Sequence, residues 1–171
     1  ELDEFYKIIN RVEPSFIRTE ADELTYNLHI ILRFEIELGL IEGKTSFDDL
    51  PRIWNEKFRE YLGIVPPNDS LGVLQDIHWS WGNIGYFPTY TLGSMIAAQL
   101  FAAAQKDIPD LVHTIGEGKF AELRNWLNEN IWRHGKKYLT KELIRRATGK
   151  DPSPDDYLEY LENKYAGIYE L

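Results

Sequence analysis

Glu20-Ala21-Asp22-Glu23-Leu24-Thr25-Tyr26-Asn27-Leu28-His29-Ile30-Ile31-Leu32-Arg33-Phe34-Glu35-Ile36-Glu37-Leu38-Gly39-Leu40-Ile41 is the longest periodic run in the chain, and its reading decides the fold. Leu24, Leu28, Ile31, Leu32, Ile36 and Leu38 recur three and four residues apart among Glu23, Asn27, Arg33, Glu35 and Glu37. That spacing predicts one long amphipathic helix. Acidic Glu20, Asp22 and Glu23 stand near its start, where the helix dipole favours negative charge, and Gly39 or Gly43 suits its end.

The same period continues outward. Leu2 to Asn10 is helical in pattern, and a second long helix is predicted over Phe47 to Tyr61, with Asp48 and Asp49 near its start and Gly63 after it. Pro66-Pro67-Asn68-Asp69-Ser70 then breaks the pattern and marks a loop from Gly63 to Gly72. Gly72 to Gly93 is rich in aromatic residues and punctuated by Gly82, Gly85 and Pro88. Further helices are predicted over Thr89 to Lys106, Phe120 to Trp132, Thr140 to Thr148 and Pro154 to Tyr165, the last two entered by Thr140 and by Ser153-Pro154. No run alternates as a strand would, and there is no repeat or linker. The expected architecture is all-α: a single irregular helical domain over residues 1–171.

Composition bounds the function. The 171 residues include 8 Phe, 10 Tyr and 5 Trp, enough large side chains to bury a core without staples. With no cysteine, a disulfide framework, a thiolate metal site and a thiol nucleophile are all excluded. A formal net charge of −9 opposes nucleic-acid binding, which depends on cations that neutralise phosphate. The longest apolar run, Ser94 to Ala104, is too short to span a bilayer, and no leader pattern opens the chain. The expectation is a soluble, cytoplasmic protein with no membrane or nucleic-acid partner.

His29, His78, His113 and His134 include no pair at metal-ligand spacing, and no phosphate loop, nucleophile elbow or dinucleotide fingerprint occurs. Polar density in two otherwise apolar places stands out instead. In Ile17-Arg18-Thr19-Glu20-Ala21-Asp22, Arg18 and Asp22 lie four apart and share a helix face. Two readings fit: a helix-entry salt bridge, or an Asp22 that holds the guanidinium so that its donor fork grips a carboxylate bidentately. The second place is Gly72-Val73-Leu74-Gln75-Asp76-Ile77-His78-Trp79, followed by Ser80 to Tyr90, which adds Tyr86 and Tyr90. This stretch is either a packed aromatic turn around a core histidine, or irregular backbone presenting His78 and a tyrosine hydroxyl to a developing oxyanion, with Asp76 or Gln75 orienting the imidazole. His29 reads as a packing residue, His113 and His134 as isolated residues near helix ends, and the acidic stretch Asp151 to Glu170 as a solvated face.

Those two places resemble the I-R-x-x-A-D and G-x-x-Q-D-x-H-W motifs of the thermostable carboxypeptidase 1 (carboxypeptidase Taq) family, in the family's order. The similarity also takes in Gly85-Tyr86-Phe87-Pro88-Thr89-Tyr90 and Ala147-Thr148-Gly149. The family's H-E-x-x-H helix, its third glutamate ligand and its H-P-F and D-x-R-x-T motifs are absent, so the chain resembles the C-terminal third of a member. The resemblance implies a mostly helical two-lobed body with a deep cleft, metal-dependent release of C-terminal residues from peptides, zinc or cobalt as the metal, and a homodimer. It implies that the missing N-terminal part holds the metal, that these 171 residues bind none and are inactive alone, and that they line the cleft opposite. Arg18 and Gln75 are then substrate-binding residues, and His78 with Tyr90 or Tyr86 stabilises the tetrahedral intermediate, supported by Asp22, Asp76 and Trp79. The alternative is a non-catalytic helical interaction or scaffold domain in which both motifs only pack.

Overall fold

A computed structural model describes all 171 residues and contains helices and turns but no strand, as the absence of alternation predicts. Two compact units divide the chain, Glu1–Thr91 and Leu92–Leu171. Eight α-helices run in order: α1 Leu2–Ile9, α2 Glu23–Ile41, α3 Leu50–Leu62, α4 Pro88–Asp107, α5 Leu111–Gly116, α6 Ala121–Asn130, α7 Thr140–Thr148 and α8 Asp155–Tyr169. Short 3₁₀ turns at Arg18–Glu20, Phe47–Asp49, Trp79–Trp81 and Trp132–His134 supplement them. No helix is long and apolar enough to cross a membrane.

In the first unit, α2 begins three residues later than its periodicity suggests, because Asp22 caps it. The Asp22 Oδ1 accepts from the amides of Leu24 and Thr25 at 3.0 and 2.9 Å, and Oδ2 accepts from the Thr25 hydroxyl at 2.7 Å. A capping residue has extended rather than helical backbone, so Arg18 belongs to a separate turn and shares no helix face with Asp22. The buried side of α2 also departs from the amphipathic expectation. Thr25, His29, Ile30, Leu32, Arg33, Ile36 and Glu37 are buried, whereas Leu24, Ile31 and Leu38 are exposed. The polar members tolerate burial where they find partners, and the apolar ones pack with α3: Leu32 and Ile36 form one core cluster with Trp54, Phe58, Leu62 and Val73. Trp54 and Phe58 stack at 5.5 Å, and Glu35 on α2 receives Lys57 and the Tyr61 hydroxyl from α3.

After α3 the chain runs irregularly to the turn Trp79–Trp81. Gly82 and Gly85 follow with φ of 75° and 81°, a left-handed conformation that side-chain-bearing residues rarely adopt. They reverse the chain so that Phe87 is buried and Pro88 opens α4 in the first-turn position that proline suits.

The second unit holds the rest of α4 and the last four helices. Its core cluster is Ala103, Ala104, Ile108, Leu111 and Trp126, where the alanines admit the indole, and the Trp126 Nε1 donates to Asp107 at 2.7 Å. Helices of this unit differ from their sequence pattern, α8 among them, which runs on from the predicted Tyr165 to Tyr169. A six-residue α5 is too short to show a period, and the run predicted over Phe120 to Trp132 stops at Asn130 before a 3₁₀ turn.

Gln99, buried in α4, ties down the turn after α7. Its Nε2 donates to the Thr148 hydroxyl at 2.9 Å and approaches the carbonyls of Lys150 and Asp151 at 3.3 and 3.1 Å, while its Oε1 accepts from the Ser153 amide at 3.2 Å. Gln99→Leu, close in size, strands these groups. It is expected to cost roughly 1–3 kcal/mol in urea unfolding. An unchanged midpoint would mean that solvent satisfies the turn equally well.

Candidate functional site

Arg18, Arg33, Gln75 and Asp76 come from three separate stretches of the first unit and form one polar cluster, in which the arginines are buried and Gln75 and Asp76 partly so. Asp76 Oδ1 accepts from Arg18 Nε at 3.1 Å and Nη2 at 2.8 Å, and Oδ2 accepts from Arg33 Nε at 2.7 Å, with Arg33 Nη2 equally close. The Gln75 Oε1 bridges the same pair, accepting from the Arg18 amide at 2.9 Å and from Arg33 Nη2 at 2.8 Å. On its other side, Gln75 Nε2 faces the carbonyls of Phe16, Leu71 and Gly72 at 2.9 to 3.1 Å. The remaining arginine nitrogens are also engaged: Arg33 Nη1 donates to the His29 carbonyl at 2.7 Å, and Arg18 Nη1 to the Tyr26 hydroxyl at 3.0 Å. Burial alone would raise the Asp76 pKa, but the charges and hydrogen bonds of Arg33 and Arg18 outweigh it and hold the carboxyl below its ordinary value. Arg33 is pushed down to about 10 by burial despite Asp76. Two guanidiniums on one carboxylate leave the cluster with a net positive charge.

Aromatic rings pack between that cluster and His78. Arg33 lies over Trp54 and Phe87, 4.6 and 5.3 Å from their centroids, and Arg18 lies 5.1 Å from the Tyr90 centroid. Phe87 in turn supports the His78 ring at 4.4 Å. The His78 Nε2 is 3.1 Å from the Tyr90 hydroxyl, whereas its Nδ1 is buried without a hydrogen-bond partner, 4.0 Å from Asp76 Oδ1. Tyr86, 49 % exposed, stands edge-on to Tyr90 at 5.6 Å. Trp79 is turned the other way, its Nε1 donating at 2.9 Å to Glu37, a buried carboxylate on α2.

The structure therefore brings together Arg18, Gln75, Asp76, His78, Tyr86 and Tyr90, and it corrects the pairing read from spacing. Asp76, 58 residues away, holds Arg18; Asp22 does not, because both of its oxygens are spent on the start of α2 and on the Glu13 amide. The Nε–Nη2 edge of Arg18, the one suited to bidentate gripping, is already on Asp76, and one N–H on each of Nη1 and Nη2 lies outside these bonds. Sequence reasoning missed Arg33, Glu37, Tyr26 and Phe87. The available signal was Arg33 and Glu37 four apart, each adjacent to an apolar position of the α2 core, Leu32 and Ile36.

His29 packs edge-on to Phe58 at 5.3 Å, is 0 % exposed and has no partner for either ring nitrogen. Burial, then the charges of Arg33 and Arg18, pushes its pKa down to about 4 from 6.5. Since the unfolded chain takes up this proton first, the neutral ring supports the fold fully above about pH 6.5 and loses that support as pH falls to about 4, by roughly 3 kcal/mol. Asp76 adds its own loss at lower pH, below the ordinary carboxylate range. His29→Leu is accordingly expected to flatten the pH dependence of urea stability between pH 6.5 and 4. An unaltered slope would show that another group titrates in that window.

The chain matches known proteins over nearly its whole length. The family model described as carboxypeptidase Taq (M32) metallopeptidase matches residues 1–165. Carboxypeptidase 1 of Bacillus subtilis (strain 168) is 46% identical over 170 residues, covering 99% of this chain and 34% of that protein. Thermostable carboxypeptidase 1 of Thermus thermophilus is 46% identical over 168 residues, covering 98% of this chain and 33% of that protein. The crystal structure of the M32 carboxypeptidase from Deinococcus radiodurans R1 superposes with a TM-score of 0.96 at 43% identity, over 100% of this chain and 35% of its own. The chain spans about a third of the length of these relatives. A match over nearly every residue, with close agreement in fold, makes this chain a member of the carboxypeptidase Taq (M32) metallopeptidase family.

Proposed function

We propose that these residues form the substrate-binding and transition-state-stabilising part of a metal-dependent carboxypeptidase that releases C-terminal residues from peptides. The observation that carries the reading is the His78–Tyr90 pair, 3.1 Å apart, set on Phe87 and beside a cluster with a surplus guanidinium. During peptide hydrolysis the carbonyl oxygen gathers negative charge, and donors held in place beforehand stabilise it with little reorganisation. His78 with Tyr90, or with the exposed Tyr86, stabilises that charge, the tyrosine hydroxyl donating to it. Arg18 supplies the cation for the terminal carboxylate through the N–H groups that Asp76 and Tyr26 leave unused, with Gln75 fixing the backbone amide of Arg18.

The family name implies a metal, yet no three His, Asp or Glu side chains of this chain converge to hold one. Ligands for zinc or cobalt are assigned to an N-terminal part of the same enzyme, without which the 171 residues form a helical portion inactive alone. The peptide substrate and the homodimer rest on likeness to the family. A second reading has its own observation: Asp76 fills the bidentate edge of Arg18, as expected if both motifs only pack in a helical scaffold.

In the complete enzyme, Tyr90→Phe (or Tyr86→Phe, if that hydroxyl is the donor) and His78→Ala should lower kcat by roughly 10²–10³ with little change in KM. A change confined to KM would assign these residues to ground-state binding.

Arg18 is tested against the terminal group of the substrate. Wild-type enzyme should discriminate strongly against a peptide with an amidated C-terminus, Arg18→Lys should be impaired despite keeping the charge, and Arg18→Ala should lose much of the discrimination. If the two penalties instead add independently in kcat/KM, Arg18 does not read the carboxylate and the ion pair with Asp76 is its whole role.

A further inference from the structure

Arg33 belongs to neither motif and is 0 % exposed, yet it touches groups that flank His78. It holds Asp76, two residues before the imidazole, and Gln75 beside it, and it lies over Phe87, the ring beneath the imidazole. The buried Nδ1 of His78, without a hydrogen-bond partner, faces this cluster across 4.0 Å. With one arginine on Asp76 the cluster would be neutral and Oδ2 uncompensated, and a nearby carboxylate of that kind draws an imidazole proton to Nδ1. With two, the carboxylate is saturated and the net charge is positive, so an Nδ1 lone pair, not an N–H, is the favourable group to face it.

We propose that Arg33 is a positioning residue that sets the tautomer of His78. The proton lies on Nε2, which donates to the Tyr90 oxygen, and the Tyr90 hydroxyl proton is thereby directed to a different acceptor. The chain of donors runs outward from Asp76 rather than inward toward it, as an oxyanion-stabilising tyrosine requires. The catalytic significance of this direction rests on the reading of His78 and Tyr90 given above; the direction itself does not.

The experiment is ¹⁵N NMR of the histidine rings in the 171-residue chain above pH 7.5, with His78→Gln identifying the resonances. Wild type should show an Nε2–H ring at His78. Arg33→Met should shift the Nε2–H to Nδ1–H ratio by roughly tenfold or more toward Nδ1–H, as expected for loss of a charge at this range. Arg33→Lys, which keeps the charge, should restore the wild-type ratio. An Nδ1–H ring in the wild type, or a folded Arg33→Met with an unchanged ratio, overturns the proposal. Should Arg33→Met fail to fold, Asp76→Asn reads the same linkage: with the carboxylate charge gone Nε2–H must persist, and its loss also overturns the proposal. Activity is measured separately in the longer enzyme. A tautomer change that leaves kcat intact would remove His78 and Tyr90 from the reaction while the role of Arg33 stands.

Discussion

A carboxylate shared by two guanidiniums is the constraint around which the first unit is organised. Asp76 is largely withdrawn from solvent, its side chain 11 % exposed, and a charge so placed is tolerated only when it is paired and hydrogen-bonded. Arg18 reaches it from the turn before α2, and Arg33 from the middle of that helix. These contacts span 58 and 43 residues, so one side chain fixes the approach to α2 and the register of the irregular segment after α3. Such an arrangement is poor in net stability compared with an apolar core of the same volume, but breaking one partner of a buried pair costs roughly 3–5 kcal/mol. Its value lies in singling out one arrangement of a segment with few regular hydrogen bonds of its own.

The aromatic segment from Trp79 to Tyr90 shows how irregular backbone becomes rigid. Left-handed glycines turn it, and rings then fill the space that helix packing would otherwise occupy. Phe87 receives His78 and Trp79 and lies against both arginines, so packing and electrostatics converge on one side chain. His29 is the reverse case, a polar ring used as an apolar one and dependent on remaining neutral.

The second unit solves a similar problem with an uncharged group. Gln99 serves the turn after α7 much as Gln75 serves the segment before Asp76: a buried amide offers an acceptor on one side and donors on the other, and both sides are used. An amide can do this without the desolvation cost of a charge.

Much of this was legible from the sequence. The all-helical class, α2, α3, α4 and α7 within a few residues, and the two polar stretches all follow from period, glycine and proline, because those signals are local. The periodicity starts α2 three residues early, because an aspartate near a helix N-terminus suits both a dipole-facing residue and a cap, and only backbone geometry separates the two. The partner of Arg18 was misread for a related reason. Spacing of four makes Asp22 the natural local choice, whereas the actual partner is chosen by which chain segments pack side by side. Arg33 and Glu37 were placed by pattern with the polar residues of an amphipathic helix, and their burial became visible only with Asp76 and Trp79 in place. The sequence by itself determined the helical class, the longer helices to within a few residues and which stretches are chemically dense. Tertiary structure alone decided who pairs with whom, because the energy of a buried charge depends on partners distant in the chain, and no local pattern records them.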